Sequence, residues 1–588
     1  MKKQILAQYC NPAIAILFII GSFLFFNLNY KFQYAFLEQY SMFQSNSFYL
    51  AEKLSEPGGF NEYISSFLSL AFIYNGGAAL VIALFLGLIS CLFHAFLKKI
   101  DSSSGILAAL VPCFIFWVFP QESVAVLVST AFSLLATYIY TNISNYKYRI
   151  SVGLLLIIVL YFIATPAHIL FSLLCLIYEL SVKDNKKVAI AGVINLTLAL
   201  ILPLVAMRCI YILPMREAYL SKYLCHPEQP VPSPIYYLLY SFPIISVLVW
   251  IMRGKNFIKN ENIKAIATYI TVIAASVAIF IYTKNPMEQA YRYDYYARNG
   301  EWEKIVKHAE RHSIKDMDAL VYLNLALSHT GRMASDMFRF PQMGESGFIT
   351  KDPKSRMGLI QASEVAWQVG QINASQRFAF VGVLSSQRCV QPRLMKRLVE
   401  TYIVNGEYKA AEKYIKILES APHYSKWAKE QRSLLNEKNS NESKWVTEKR
   451  ALMPITDNPF DLTVSFPSAI AFLIDDHIDN RAAFDYGMGF LLMYGDMGAF
   501  IHYMNLIKGK YKSLPKHYQE ALCLYYIGMK ADKNALASYN VSQDIMNRFI
   551  SFTQNVRTSS PAVLKSQFGD TYYYYYLKFS NSNSKSTR

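Results

Sequence analysis

The chain has 588 residues, of which 53% are hydrophobic, 15% aromatic and only 17% charged, and it carries a formal net charge of +17. This basic excess does not indicate a nucleic-acid-binding protein, because more than half of it lies in short polar joints between long apolar segments. Apolar residues dominate up to residue 284 and most charged residues follow, so the sequence predicts at least two large domains.

The first domain, residues 1–284, is predicted to be a polytopic transmembrane helical domain. Its apolar segments are long enough to cross the ~30 Å hydrocarbon core of a bilayer, which makes lipid the first expected partner. About nine spans are predicted, at residues 12–30, 76–97, 105–120, 123–141, 150–165, 168–182, 188–211, 235–252 and 263–283. No small-residue cleavage site follows the first segment, so it is interpreted as an uncleaved anchor.

Basic residues in the joints predict the orientation of these helices. With a cytoplasmic N-terminus, the inner joints hold about thirteen Lys and Arg residues and the outer joints about five. An odd number of crossings then places everything after Lys284 outside the cytoplasm. The sequence therefore predicts a multi-pass membrane protein with a cytoplasmic N-terminus and a C-terminal domain outside the cytoplasm.

The first outer loop, residues 31–75, is much longer than the other joints. Its aromatic and aliphatic residues recur at helical spacing, which predicts two or three short helices in the membrane interface. Pro57-Gly58-Gly59 breaks the chain between these helices. Two later outer joints, residues 119–123 and 164–168, are tight turns that contain proline.

The second domain, residues 285–579, is predicted to be an α-helical repeat domain. The segment from Val399 to Pro422 fits the tetratricopeptide template of two helices joined at a glycine, Gly406. Gly300 and Gly331 mark similar hairpins, and residues 482–504 resemble a late one, so the array is expected to contain four to six hairpins. Residues 580–588 are predicted to be a disordered tail.

The predicted topology gathers polar side chains at the outer face of the membrane domain. Carboxylates and an imidazole there could activate a hydroxyl, and guanidinium groups could hold a lipid phosphate. The candidate catalytic residues are Glu56, Glu62, Glu122 and His168, and the candidate lipid-phosphate contacts are Arg208 and Arg216. The alternative is that these side chains cap helices or lie in interfacial water. The sequence predicts neither a metal site nor a cofactor.

The plan of a first span, a long outer loop, tight hairpins and an outer C-terminal domain resembles the membrane module of the GT-C glycosyltransferases. This resemblance covers the first 284 residues and implies transfer of a sugar from a polyprenyl-phosphate carrier, for which a divalent metal is possible. Members of that class usually carry a catalytic Asp in the first outer loop. Here the loop contains Glu but no Asp.

A second resemblance spans nearly the whole chain. The segments Leu54–Leu68, Asn480–Phe500 and Phe568–Phe579 are similar to an uncharacterised family of Bacteroidota integral membrane proteins. This resemblance implies a location in the bacterial envelope and implies no activity.

Three functions are compatible with this sequence. Helical repeats present large binding surfaces, so the first expectation is a membrane protein whose outer repeat domain binds a protein, peptide or glycan partner. The alternative is a GT-C-like glycosyltransferase or a degenerate relative. A transporter is the least favoured, because ionisable residues are almost absent from the spans except near their ends.

Overall fold

The computed structural model describes most of the chain, and its regular structure is helical. The described residues are 2–40, 42–120, 123–181, 186–221, 233–255, 261–314, 316–350, 352, 355–386, 391–456, 459–508, 513–529 and 536–578. These ranges contain no β-strand, so the prediction of an all-α chain is confirmed. The predicted tail, residues 580–588, lies outside them.

Contacts between residues divide the chain into two compact units. The first, here called the apolar unit, comprises Met1–Glu288 and Ser420–His423, and the second, here called the hairpin unit, comprises Gln289–Glu419 and Tyr424–Arg588. The main division therefore falls four residues after Lys284, where the composition changes.

The apolar unit contains long apolar helices and several short ones. The helices are α1 (Lys2–Asn29), α2 (Lys31–Leu37), α3 (Ser47–Leu54), α4 (Gly59–Ser69), α5 (Gly77–Ile100), α6 (Ile106–Val118), α7 (Ala125–Thr141), α8 (Tyr146–Ala164), α9 (Ala167–Ser181), α10 (Lys186–Cys209), α11 (Met215–Leu220), α12 (Ser233–Ile251) and α13 (Glu261–Tyr282). Helices α2, α3 and α4 form in the long first loop, as its helical spacing predicts.

Six helices of the described chain are long and apolar enough to cross a membrane, which indicates a membrane protein. These segments are Asn11–Asn29, Gly77–Ile100, Tyr146–Ala164, Ala189–Cys209, Pro234–Ile251 and Ile263–Tyr282. The other three predicted spans form the shorter apolar helices α6, α7 and α9. Large apolar side chains on α13, including Ile266, Ile270 and Ile273, are more than half exposed, as expected for a surface that faces lipid.

Aromatic packing joins the first helix to the bundle. The indole of Trp117 on α6 stacks on Phe25 of α1, with ring centroids 4.5 Å apart, and lies 5.6 Å from Phe18. Its Nε1–H donates to the Ser22 hydroxyl at 3.2 Å, so the one polar atom of this buried ring is satisfied. Helix α1 thus packs as a full member of the bundle, also contacting α5 and α13.

Polar contacts gather at two opposite ends of this bundle. At one end, here called the basic end, cationic side chains reach neighbouring joints. The hydrogen bonds there are Lys99 Nζ to Asn142 Oδ1 (2.9 Å), Lys264 Nζ to the Ser103 carbonyl (2.9 Å) and Arg253 Nη1 to the Ser181 carbonyl (2.8 Å). At the other end, the Glu288 carboxylate accepts the backbone N–H groups of Phe32 and Gln33, which brings the chain after α13 beside the chain after α1.

The hairpin unit consists of shorter helices. They are α14 (Glu288–Arg298), α15 (Trp302–Arg311), α16 (Met317–His329), α17 (Met333–Asp336), α18 (Arg356–Val369), α19 (Ile372–Ser385), α20 (Pro392–Val404), α21 (Tyr408–Glu419), α22 (Ser425–Arg432), α23 (Glu437–Glu442), α24 (Lys444–Arg450), α25 (Phe466–Asp476), α26 (Arg481–Tyr494), α27 (Met497–Leu506), α28 (Lys516–Cys523), α29 (Gln543–Asn555) and α30 (Pro561–Phe568). The tyrosine run that follows α30 is packed, since Tyr572 and Tyr573 are buried and the Tyr575 hydroxyl donates to the Met493 carbonyl at 2.9 Å.

The same turn joins the two helices of five hairpins in the described part of this unit. Each turn contains a glycine with positive φ. The N–H of the residue that follows the glycine donates to the carbonyl of the residue five positions before it, which is the Schellman arrangement. The glycines are Gly300, Gly331, Gly370, Gly406 and Gly495. The bonds are Glu301 to Tyr296 (2.8 Å), Arg332 to Leu327 (2.8 Å), Gln371 to Ala366 (2.9 Å), Glu407 to Tyr402 (2.8 Å) and Asp496 to Leu491 (3.0 Å).

Candidate functional site

The first outer loop docks on the turn between α8 and α9. The Gly58 N–H donates to the Phe162 carbonyl at 3.0 Å, and a Cβ at Gly58 would lie 3.1 Å from the backbone nitrogen of Thr165. Three residues later, Asn61 Nδ2 donates to the carbonyl of Ala125, the first residue of α7, at 3.0 Å. Helix α4 therefore lies against the ends of α7 and α8, and the glycine allows the close backbone approach.

Glu62 is held by a lysine of the same loop. Its carboxylate lies 2.7 Å from Lys53 Nζ, and the Lys53 side chain is only 5% exposed. The ammonium also lies 5.1 Å from the centre of the Tyr49 ring. A buried ammonium needs a compensating charge, so the structure gives Glu62 the role of joining α3 to α4.

His168 is fully buried in the first turn of α9. Its ring packs edge-on against Tyr161, with ring centroids 5.2 Å apart. The backbone of Ala199 is close, yet neither ring nitrogen of His168 makes a hydrogen bond of good geometry, and neither does the Tyr161 hydroxyl. The imidazole therefore lies inside the helix bundle and not at its outer surface, where the sequence placed it.

The remaining candidate residues are more accessible. Glu56 is half-buried, and burial together with the charge of Glu56 raises the pKa of Tyr211 in the joint between α10 and α11. Arg208 is exposed at the end of α10, and Arg216 is half-buried on α11. Glu122 lies outside the described residues. Among the described candidates, Glu56 is thus half-buried, whereas Glu62 is bound to Lys53 and His168 is fully buried.

Sequence reasoning missed a buried ion pair near the basic end. Arg149, in the first turn of α8, donates to both carboxylate oxygens of Glu179 on α9, at 2.6 Å and 2.8 Å. The Tyr140 hydroxyl of α7 donates to the same carboxylate at 2.8 Å, and Asn195 of α10 donates to that hydroxyl at 3.3 Å. The Glu179 side chain is 0% exposed, so this cluster joins four helices inside the bundle.

This pair also changes the interpretation of the charge pattern. Arg149 contributes to the basic residues that predict the orientation, but its charge is neutralised by Glu179. The two residues are 30 positions apart, so no local sequence pattern predicts that they form an ion pair. Their positions near the ends of α8 and α9 agree with the scarcity of charge elsewhere in the spans.

The hairpin unit contains a second buried set of charges. Arg393 of α20 forms an ion pair with Asp294 of α14, and the Tyr322 hydroxyl of α16 donates to the same carboxylate at 2.5 Å. Arg397, one turn further along α20, donates to Glu364 of α18 at 2.7 Å. These contacts join α14, α16, α18 and α20, which are the first helices of four hairpins.

Metal-binding side chains do not converge in the described ranges, where no group of three or more His, Cys, Asp or Glu residues could hold an ion. The acidic segment Asp475–Asp479, which has metal-friendly residue types, forms local contacts. Asp475 accepts from the Tyr503 hydroxyl at 3.0 Å, and Asp476 accepts backbone N–H groups of Ile455 and Thr456.

Together these features define a membrane protein with an apolar helical bundle and a second unit built from helical hairpins. The chain belongs to DUF6057, a family of unknown function, which it matches over residues 6–579. The expectation of an uncharacterised family spanning nearly the whole chain is confirmed. No curated protein and no solved structure matches the chain.

Proposed function

We propose that this chain is a bacterial inner-membrane protein whose hairpin unit lies in the periplasm and binds a protein, peptide or glycan partner of the cell envelope. The observation that carries the proposal is the turn repeated in five hairpins of the described chain. One turn used repeatedly is typical of a repeat array of the tetratricopeptide kind, in which neighbouring hairpins stack and create an extended binding surface.

The packing inside the hairpin unit supports a repeat array. Helices α18, α19, α20 and α21 pack in chain order, each against the next. At the hairpin of α20 and α21, Ala411 is fully buried where the helices approach, and Tyr402 stacks on Tyr414 with ring centroids 5.9 Å apart. Ala411 and Tyr402 thus lie at a small and an aromatic position of the tetratricopeptide template.

Nine crossings and a cytoplasmic N-terminus are supported by the ends of the apolar bundle. Lys99, Arg253 and Lys264 lie at joints that would all face the cytoplasm, and their hydrogen bonds join neighbouring helices there. The chain after α13 meets the chain after α1 at the opposite end, as an odd number of crossings requires. The shorter helices α6, α7 and α9 then cross within the bundle.

Reporter fusions test this topology at two sites that are separated by one helix, α13. A periplasm-active phosphatase fused after Lys284 should be active, and the same enzyme fused after Lys255, just before α13, should be inactive. A cytoplasm-active reporter at the same two sites is the control and should give the inverse pattern. Equal phosphatase activity at both sites would show that α13 does not cross the membrane.

A GT-C-like transferase is the second candidate, and the position of Glu56 favours it. The loop that carries Glu56 docks on the turn between α8 and α9, and the carboxylate lies near Tyr211 at the same end of the bundle. In this proposal Glu56 is the general base that accepts the proton of the acceptor hydroxyl. Arg208 and Arg216 bind the lipid phosphate, and a divalent metal is a possible cofactor.

One experiment separates the binding protein from the transferase. The tagged full chain is crosslinked in intact cells with a reagent that reaches only the periplasm, and surface glycans are profiled in the same strains. We expect a discrete partner crosslinked within residues 289–578, with normal glycans in Glu56→Gln. Loss of glycan in Glu56→Gln by about 10²-fold, with crosslinking retained, would instead favour the transferase. Absence of any specific crosslink to the hairpin unit would contradict the binding role.

A further inference from the structure

Five cationic side chains collect on three helices of the hairpin unit. Here called the cation cluster, they are Arg298 on α14, Arg393, Lys396 and Arg397 on α20, and Lys449 on α24. Lys396 and Lys449 are half-buried, while the Arg393 side chain is only 10% exposed. The cluster is therefore anchored in the interior, and its lysines are partly accessible to solvent.

Two arginines of this cluster, Arg393 and Arg397, have carboxylate partners. Arg393 pairs with Asp294, and Arg397 pairs with Glu364 and with Glu400, the latter at 3.2 Å. For Lys396 and Lys449, no carboxylate of the described ranges lies within the 4.0 Å of an ion pair. Glu448, next to Lys449, is 63% exposed and lies 3.8 Å from Lys444.

Burial disfavours the protonated forms of both lysines. Burial and, to a smaller extent, the charge of Arg397 lower the pKa of Lys449 to about 8, against the opposing charges of Glu364, Glu400 and Glu448. Burial likewise lowers the pKa of Lys396, and Arg298, Arg397 and Arg393 add to this, while Glu400 opposes it. An anion bound beside these ammonium groups would stabilise their charged forms.

Hydrogen-bonding capacity in the cluster is also incomplete. Nη2 of Arg393 is buried and has no hydrogen-bond partner of good geometry, and a Glu364 carboxylate oxygen lies 3.8 Å from it. Arg393 is therefore a buried donor with unused capacity near Lys396, which has no ion pair among the described residues. A carboxylate is the natural complement of such a set of donors.

The aromatic residues of this region argue for a peptide and not a sugar. Arg397 and Lys449 lie over the Trp367 ring, 4.3 Å and 4.8 Å from its centre, and Lys396 lies 4.6 Å from the centre of Trp427. The ring faces on which a sugar would stack are therefore already in contact with cations. The groups left for a ligand are the charged heads of the lysines.

We propose that the cation cluster binds an acidic peptide segment, whose carboxylates contact Lys396 and Lys449. This inference rests on the proposed binding function of the hairpin unit and adds the chemistry of the partner. Bound carboxylates would complete the ion pairs that the lysines lack, with the paired arginines holding the site in place.

The test measures binding of a fluorescein-labelled hexaglutamate peptide to the full chain in detergent, with hexaglutamine as the uncharged comparison. We expect hexaglutamate alone to bind, and Lys396→Gln and Lys449→Gln each to weaken binding by roughly tenfold. The matched control is Lys444→Gln, on the same helix as Lys449 and 90% exposed, which should bind as the unaltered chain does. Lys449→Arg should retain most of the affinity, because it keeps the charge.

Several outcomes would overturn the proposal. They are no binding of hexaglutamate, equal binding of hexaglutamine, or an equal loss of affinity in Lys444→Gln. Displacement of the peptide by millimolar phosphate at constant ionic strength would show a site for any small anion.

The melting temperature of each variant identifies a folding defect. Lys396→Gln serves as the second test, because Lys449 also donates to the Trp367 carbonyl and its replacement removes that bond as well. If the envelope partner still crosslinks to Lys396→Gln, the binding function stands and this site is wrong.

Discussion

Replacing Glu179 with alanine should lower the free energy of unfolding of the apolar unit by about 3–5 kcal/mol. The change leaves the Arg149 guanidinium, whose side chain is 8% exposed, without its two charge-assisted bonds, and it removes the acceptor of the Tyr140 hydroxyl. Unfolding in detergent can be followed by the reactivity of the buried thiols of Cys113 and Cys175 with a maleimide dye. The variant should expose these thiols at a markedly lower temperature.

Two controls determine whether the loss comes from an unpaired charge. The double variant Arg149→Met with Glu179→Leu removes both charges and should recover most of the stability, because a buried pair contributes little compared with apolar packing. Glu301→Ala breaks the exposed pair with Lys304 and should change stability by less than about 1 kcal/mol. A double variant as unstable as Glu179→Ala would mean that the carboxylate acts by shape and not by charge.

Gly370→Ala should destabilise the hairpin unit far more than Gly406→Ala does. Both residues have positive φ, +91° and +77°, so alanine is strained at either position by about 1–2 kcal/mol. At Gly370, however, a Cβ would also lie 2.3 Å from the Leu452 carbonyl oxygen, whereas at Gly406 it would meet no atom within 4 Å. We expect Gly406→Ala to fold with a lower melting temperature and Gly370→Ala to lose the native packing of its hairpin.

Tryptophan fluorescence provides the measurement, because Trp302, Trp367, Trp427 and Trp445, four of the six tryptophans of the chain, lie in the hairpin unit. Gly498→Ala is the control, since a Cβ there would make only an ordinary contact of 3.6 Å with Asp496. It should leave the transition unchanged. Similar melting temperatures for Gly370→Ala and Gly406→Ala would show that the Leu452 backbone moves aside at little cost.

Hydropathy and glycine spacing predicted much of the fold. Each predicted span corresponds to an apolar helix of the described chain, because burial in lipid or in the bundle requires the same run of apolar residues. The turn at Gly370 was missed, although Gly370 followed two residues later by Ile372 has the same spacing as Gly406 and Tyr408. The polar residues around it obscured this signal.

The candidate site was less predictable, because it depends on how deeply each side chain is buried and on which residues distant in sequence pair with one another. Composition and topology placed Glu62 and His168 at one end of the bundle, but a one-dimensional pattern does not distinguish a surface imidazole from one that is 0% exposed. The pairing of Lys53 with Glu62 depends on the reversal of the chain at Pro57–Gly59. Arg149 and Glu179 meet only because α8 and α9 pack side by side.

The docking of the first outer loop sets an order of events during synthesis. Gly58 bonds to Phe162, so the loop cannot reach its final position until the chain as far as α8 has left the ribosome and entered the membrane. At ordinary elongation rates this is a delay on the order of ten seconds. During that interval the residues on which α3 and α4 dock have not yet been made, so a segment that is among the first to emerge is fixed only after more than a hundred further residues have been added.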